Sequence, residues 1–238
     1  MSLYHEEGIV LRTFRLGEAD RIVTFMTRGR GKVRAVAKGV RRTHSKFGAR
    51  LEPLSHVTMM CWQGRELDIV NQAEVIDTFR AVREDLGRMA KAYTLLEVVD
   101  QLAQEGHANP RLFEMVVGAL RALQEHDPAL LVPAFLLKVL ALEGSAPTVD
   151  VCVSCGAEGE LVAFDLNEGG VLCRQCRRGR ALSPEALELL RRILGGGLTD
   201  ALRQPAGPLA DELTELATEA TEVHLDRRLR SVRSSPGE

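Results

Sequence analysis

The chain has 238 residues, of which 45% are hydrophobic and 27% charged, with a net charge of -2. That is enough for one large or two small domains with buried cores, and too apolar for wholesale disorder. No uninterrupted apolar run reaches the ~18 residues of a membrane span, and the start Met1-Ser2-Leu3-Tyr4-His5-Glu6-Glu7 is acidic where a signal peptide is basic, so a cytoplasmic protein is expected. The near-neutral total hides a segregation of charge. Residues 1–80 hold 14 Lys/Arg against 9 Asp/Glu, a net of +5, and the remaining residues carry -7. Residues 12–50 alone contain 12 Lys/Arg with only Glu18 and Asp20 as acids, which points to a polyanionic partner.

The first 80 residues read as five short strands, Gly8 to Arg15, Arg21 to Thr27, Lys32 to Lys38, His56 to Trp62 and Leu67 to Val75. They are punctuated by Gly17, Gly29, Gly31, Gly39 and Gly64, the pattern of a small antiparallel barrel. The count fits an OB-fold. Beyond Asp85 the apolar period lengthens to about 3.6, with Met89, Ala92, Tyr93, Leu96, Val99 and Ala103 forming one stripe. A second helix is signalled at Asn109-Pro110 and a third at Asp127-Pro128. The body of the third, Ala134 to Leu142, is apolar almost all round apart from Lys138, so a buried central helix ended by Gly144 is predicted. Ser183-Pro184 opens a further helix that closes at Gly195-Gly196-Gly197, and a last one starts near Leu209 and ends in Arg227, Arg228, Arg230 and Arg233. The expectation is an α+β protein: an OB-fold at 1–80, an all-α domain formed by 81–149 and 181–238, and a cysteine-bearing insert at 150–180.

Within that insert Cys152 and Cys155 form one CxxC pair and Cys173 and Cys176 another, with 17 residues between the pairs. Two residues between thiolates let one tight turn aim both sulfurs at a common point, and two such turns supply a tetrahedral set. A reducing cytosol disfavours disulfides, so one structural Zn2+ is expected. Four thiolates leave no open position for substrate, which argues against a catalytic metal. Cys61 stands alone on a strand and reads as a small core residue.

The basic stretch divides by parity: Lys32, Arg34 and Lys38 fall on one side of a strand, with Val33, Ala35 and Ala37 on the other. A glycine-bounded loop then adds Arg41, Arg42, Lys46 and Arg50, with His44 and Phe47 interleaved. Together with Arg12 and Arg15 these residues are the candidate phosphate contacts of a groove, and Phe47 is the candidate stacking residue. Phe47 and Trp62 are each open to a core role instead. No P-loop, HExxH, GxSxG or strand-to-helix GxGxxG is present; Gly29-Arg30-Gly31-Lys32 has Val33 where a phosphate loop needs Ser or Thr. The six histidines are scattered singly. A non-enzymatic binding protein is expected.

Gly8-Ile9-Val10-Leu11, Gly17-Glu18-Ala19-Asp20, Lys38-Gly39-Val40-Arg41-Arg42 and Ser45-Lys46-Phe47-Gly48 resemble, in order and spacing, the amino-terminal signature of the RecO family. Cys152 to Gly156 and Gly169-Gly170-Val171-Leu172-Cys173 with Cys176 are similar to the zinc-bearing region of many members. The resemblance implies an OB-fold, a helical carboxy-terminal domain and a zinc insert. It further implies binding of single- and double-stranded DNA, strand annealing, association with RecR, and help for RecA in displacing the single-strand-binding protein, all in the cytoplasm at the nucleoid. For the acidic tail of that coating protein, Arg121, Lys138, Arg191 and Arg192 are available beside apolar helix faces. Two other readings stand: an RNA-binding OB protein with a structural zinc ribbon, since neither barrel nor groove distinguishes sugars, and an enzyme with a catalytic zinc.

Overall fold

The first strand, β1 (Leu3–Leu16), is long enough to pair twice: its first half runs antiparallel to β4 (His56–Trp62) and its second half to β2 (Asp20–Thr27). An irregularity between Val10 and Arg12 bends it between the two partners. Strand β3 (Gly31–Ala37) pairs with β2 and, in parallel, with β5 (Asp68–Asp77), which closes on β4. The order β1-β2-β3-β5-β4 is a closed five-stranded barrel of the OB-fold type. This computed structural model describes residues 2–231; Arg233 and the tail Ser234 to Glu238, on which sequence expectations also fell, lie outside them.

The predicted alternation holds where it positions the core. Val33, Ala35 and Ala37 point inward with Val10, Val23, Phe25, Val57, Met59, Cys61, Val70 and Ala73. A 3-10 turn, Gly48–Leu51, carries Leu51 into the same core.

After the barrel come α1 (Arg80–Arg83), α2 (Leu86–Leu102) and α3 (Pro110–Glu125). Asp85 caps α2 by accepting from the Arg88 N–H at 2.8 Å, and Asn109 caps α3 by accepting from the Leu112 N–H at 3.0 Å, as the Asn-Pro signal predicted. These helices belong to the same compact unit as the barrel, which runs to Glu125 and so does not stop at the expected boundary of 80. The reason is that the barrel's outer wall is apolar at one end. Ile9, Thr24 and Met26 leave the barrel yet are fully buried, because α2 packs on β1 and α3 on β2. Tyr93 of the predicted stripe is exposed, while Leu95 and Val98 outside it are buried; a helix wedged between a sheet and another helix has more than one apolar face.

Gly31 makes that packing tight. Its φ of +69° lies in the left-handed region, and a Cβ there would stand 2.1 Å from the His107 carbonyl oxygen and 2.6 Å from that of Gln104. The adjacent Lys32 N–H donates to the same Gln104 carbonyl at 3.0 Å.

The second compact unit covers residues 126–231 of those described. Its centre is α4 (Leu131–Leu142), buried nearly all round as predicted, against which α5 (Pro184–Gly195) and α7 (Pro208–His224) pack; the short α6 (Leu198–Ala201) follows α5. Ser183 caps α5 by accepting from the Ala186 N–H at 3.1 Å. Between α4 and α5 a small sheet, β7 (Gly170–Cys173), β6 (Leu161–Asp165) and β8 (Arg180–Ala181), in the order β7-β6-β8, frames the cysteines.

Candidate metal centre and nucleic-acid interface

The first CxxC pair sits in a tight turn. The Gly156 N–H donates to the Cys152 carbonyl at 2.8 Å, the Cys152 N–H donates to the Ala157 carbonyl at 2.9 Å, and Gly156 adopts φ +73°. The Val153 N–H donates to the Val171 carbonyl at 2.9 Å, which holds this turn against β7, where Cys173 ends the strand and Cys176 follows one turn later. The four Sγ atoms of Cys152, Cys155, Cys173 and Cys176 all lie within 4.8 Å of one another, and Cys155 and Cys173 are 3.8 Å apart. Four sulfurs each ~2.3 Å from a shared tetrahedral ion stand about 3.8 Å apart, whereas a disulfide requires about 2.05 Å. The donor set therefore fits a metal ion. Backbone N–H groups of Cys173, Cys155 and Ser154 draw the Cys152 thiol down to about 6, toward the thiolate a metal takes.

The cationic surface is more divided than its sequence. Asp100 of α2, only 7% exposed, binds the Arg12 guanidinium at 2.9 Å through Oδ2; its Oδ1 accepts no hydrogen bond and faces the Lys32 ammonium at 3.4 Å. Lys32 also donates to the Asp100 carbonyl oxygen. Arg34 lies 3.7 Å from Glu105. Three of the expected phosphate contacts are thus engaged by carboxylates on or just after α2. Arg15, Lys38, Arg41, Arg42, Lys46 and Arg50 are exposed and pair with no carboxylate among the described residues. Arg41 and Arg50 donate to backbone carbonyls of Glu18 and Lys46, at 2.9 and 2.7 Å, and Lys46 donates to that of Asn71 at 2.6 Å; these bonds set the loop's course and leave the charges uncompensated.

One expected role is corrected. Phe47 is 1% exposed and lies in the barrel core, with the Lys46 ammonium 5.0 Å from its ring, so it has no free face for a base. Its loop folds back through the Gly48–Leu51 turn, and burying a phenyl ring outweighs leaving it in water by roughly 1.5–3 kcal/mol. Trp62 is 38% exposed, outside the core.

Two family descriptions match this chain: recombination protein O N terminal over residues 1–79 and recombination protein O C terminal over residues 83–233. The chain belongs to the RecO family. Similar proteins include the DNA repair protein RecO of Bifidobacterium longum, 40% identical, and that of Streptomyces coelicolor, 43% identical, each alignment covering 98% of both chains. That of Nocardioides sp. is 43% identical over 97% of this chain and 98% of its own. A RecO-type DNA repair protein accounts for barrel, helices and cysteine cluster together, and an RNA-binding reading is not favoured.

Two residues of this RecO-family surface escaped the sequence reading. Asp100 directly follows the buried pair Val98-Val99 and is itself buried, and a buried acid needs a cation partner. Phe14, 50% exposed, carries the Arg12 guanidinium 4.9 Å from its ring centre; it stands two residues from Arg12 on the same side of β1, an aromatic beside a cation as Phe47 is beside Lys46 in the sequence. Of the cations considered for an acidic tail, Arg121 is exposed on α3, Lys138 donates to the Leu194 carbonyl at 3.3 Å, Arg191 pairs with Asp150 and Arg192 with Glu188. His56 is buried, 1% exposed, with its Nε2 2.8 Å from Glu7. Burial pushes the Glu7 carboxyl up, but Arg28 and His56 outweigh it and hold it below the ordinary range. Among the described residues no helix is long and apolar enough to cross a membrane.

Proposed function

We propose that this protein binds single- and double-stranded DNA through the barrel and the loop that follows β3, anneals complementary strands, and works with RecR to help RecA replace the single-strand-binding protein on coated DNA. The observation that carries this is the cluster of exposed cations that pair with no carboxylate among the described residues, Arg15, Lys38, Arg41, Arg42, Lys46 and Arg50, on an OB-type barrel of a DNA repair family. Arg12, Lys32 and Arg34 are a second tier of contacts, since a phosphate must compete there with Asp100 and Glu105. Two complementary strands repel through their phosphates, and a cationic surface that neutralises both lets bases meet with no covalent step and no nucleotide hydrolysis. In this reading the protein acts by binding and is not an enzyme, in the cytoplasm at the nucleoid. Residues 1–80 supply the DNA-binding surface of the compact unit that runs to Glu125, and residues 150–180 form a metal module within the second unit.

The cysteine set favours Zn2+ as its occupant, because four thiolates in a closed tetrahedron are the donor set of structural zinc. The ion would cross-link the Cys152–Cys155 turn to the end of β7. Capture of the acidic tail of the single-strand-binding protein would raise the local concentration of this protein on a coated strand.

The test is annealing of bare strands, and of strands coated with full-length or tail-deleted single-strand-binding protein, without ATP. Nucleotide-independent annealing of bare strands is expected, with annealing of coated strands falling on tail deletion. No annealing of bare strands would refute the reading, and indifference to the tail would refute the docking step alone.

A further inference from the structure

One end of the barrel's outer wall lies beneath helices; a second apolar band on that wall is open. The register gives its course: Phe14 faces Ile22, Ile22 faces Val36, Val36 faces Ile69, and Ile69 faces Trp62. Residues directly opposite one another in a sheet share a face, and the inward neighbours Val23, Ala35, Cys61 and Val70 are buried in the core, so these five lie on the outside. The two aromatic ends are exposed, Phe14 by 50% and Trp62 by 38%, and the three aliphatic residues between them are half-buried. Four strand spacings of ~4.8 Å separate the ends, a track of about 19 Å.

Cations line both flanks. Arg12 and Arg34 stand two residues from Phe14 and Val36 along β1 and β3 and so share their side of the sheet, and Arg12 lies against the Phe14 ring. On the other flank Lys38 follows Val36 by two residues, and Lys46 reaches the Asn71 carbonyl, two residues beyond Ile69.

We propose that this belt is a base-stacking track for single-stranded nucleic acid, with Phe14 and Trp62 as its stacking residues. The inference rests on the DNA-binding reading above and adds what a phosphate-binding surface alone lacks, a preference for unpaired bases. An apolar strip with aromatic ends and cationic edges matches the two chemistries of a single strand: π faces for the rings and a charged backbone on either side. A duplex shows its base edges and phosphates and keeps its base faces stacked, so it gains from the edges only.

Trp62 is the sole tryptophan, so the unmodified protein reports on its own track. Titration with oligo(dT) is expected to quench its fluorescence, and a duplex of equal length to leave it nearly unchanged. Phe14→Ala and Trp62→Ala, at exposed positions, should each weaken oligo(dT) binding about tenfold, the scale of one lost base–aromatic stack. Duplex affinity should change less than twofold and the salt slope should be unaltered, since no phosphate contact is lost. Unquenched fluorescence with both variants binding oligo(dT) as the parent does would overturn the track and leave the DNA-binding reading standing. Equal losses on single strands and duplex would also overturn it, as would wild-type DNA affinity accompanied by a change in oligomeric state, which would make the belt a protein contact. A parent protein that binds neither form of DNA would remove the DNA-binding reading and the track with it.

Discussion

The cysteine module and the cationic face of the barrel are both clusters of like side chains, but they are assembled in opposite ways. In the module, each pair of ligands is presented by one tight turn, and only the approach of two such turns depends on distant chain. On the barrel, the fate of each cation depends on residues far along the sequence: Lys32 and Arg12 meet Asp100, and Arg34 meets Glu105, whereas the cations of residues 38–50 meet no carboxylate among the described residues. The module teaches that short spacing specifies geometry. The barrel teaches that parity specifies a face without saying what covers it.

The largest effect should separate the two clusters most sharply. Protein purified under reducing conditions should carry one zinc per chain, and chelation or Cys173→Ser should raise hydrogen exchange through residues 148–182 while leaving β1 to β5 protected, because the energy of a structural zinc site is local folding energy. Stoichiometric absence of metal, or exchange rising equally in the barrel, would break the contrast. Next comes Phe47→Ala, which should cost the barrel about 3–5 kcal/mol in denaturant unfolding, as for other buried phenyl deletions. A cost under 1 kcal/mol would return Phe47 to the surface. Asp100→Ala should cost roughly 2–3 kcal/mol, below the full penalty for breaking a buried pair because Arg12 is half in solvent; unchanged stability would mean that the carboxylate does not join barrel to helix. The smallest effect is the finest discriminator. Neutralising Arg41, Arg42, Lys46 and Arg50 together should flatten the salt dependence of duplex binding by about two to three units, and neutralising Lys32 with Arg34 by less than one, at ~0.9 per lost phosphate contact. Equal changes would show that Asp100 and Glu105 release their cations to DNA.

Much of the fold was legible because it is written in local signals. His56–Trp62 and the start of α5 at Ser183-Pro184 fall where alternation and capping residues placed them. The strands β6 to β8 of the module and the short helices α1 and α6 went unread; elements of two to five residues complete too little of any period to stand out. At the candidate sites the metal ligands needed only spacing. Phe47, Asp100 and Phe14 needed register, since an aromatic beside cations on a loop and one beside cations on a strand look alike until the loop's return path is known.

The weld at Gly31 bears on how this protein can be cut. The family descriptions divide it between residues 79 and 83, yet the carbonyls of Gln104 and His107 close over Gly31, and Ile9, Thr24 and Met26 are covered only when α2 and α3 are present. A fragment ending at residue 79 would expose that wall as a sticky patch and strand the Lys32 ammonium without its carboxylate. A fragment running to Glu125 keeps its own cover, and is the piece to express when the barrel is wanted alone.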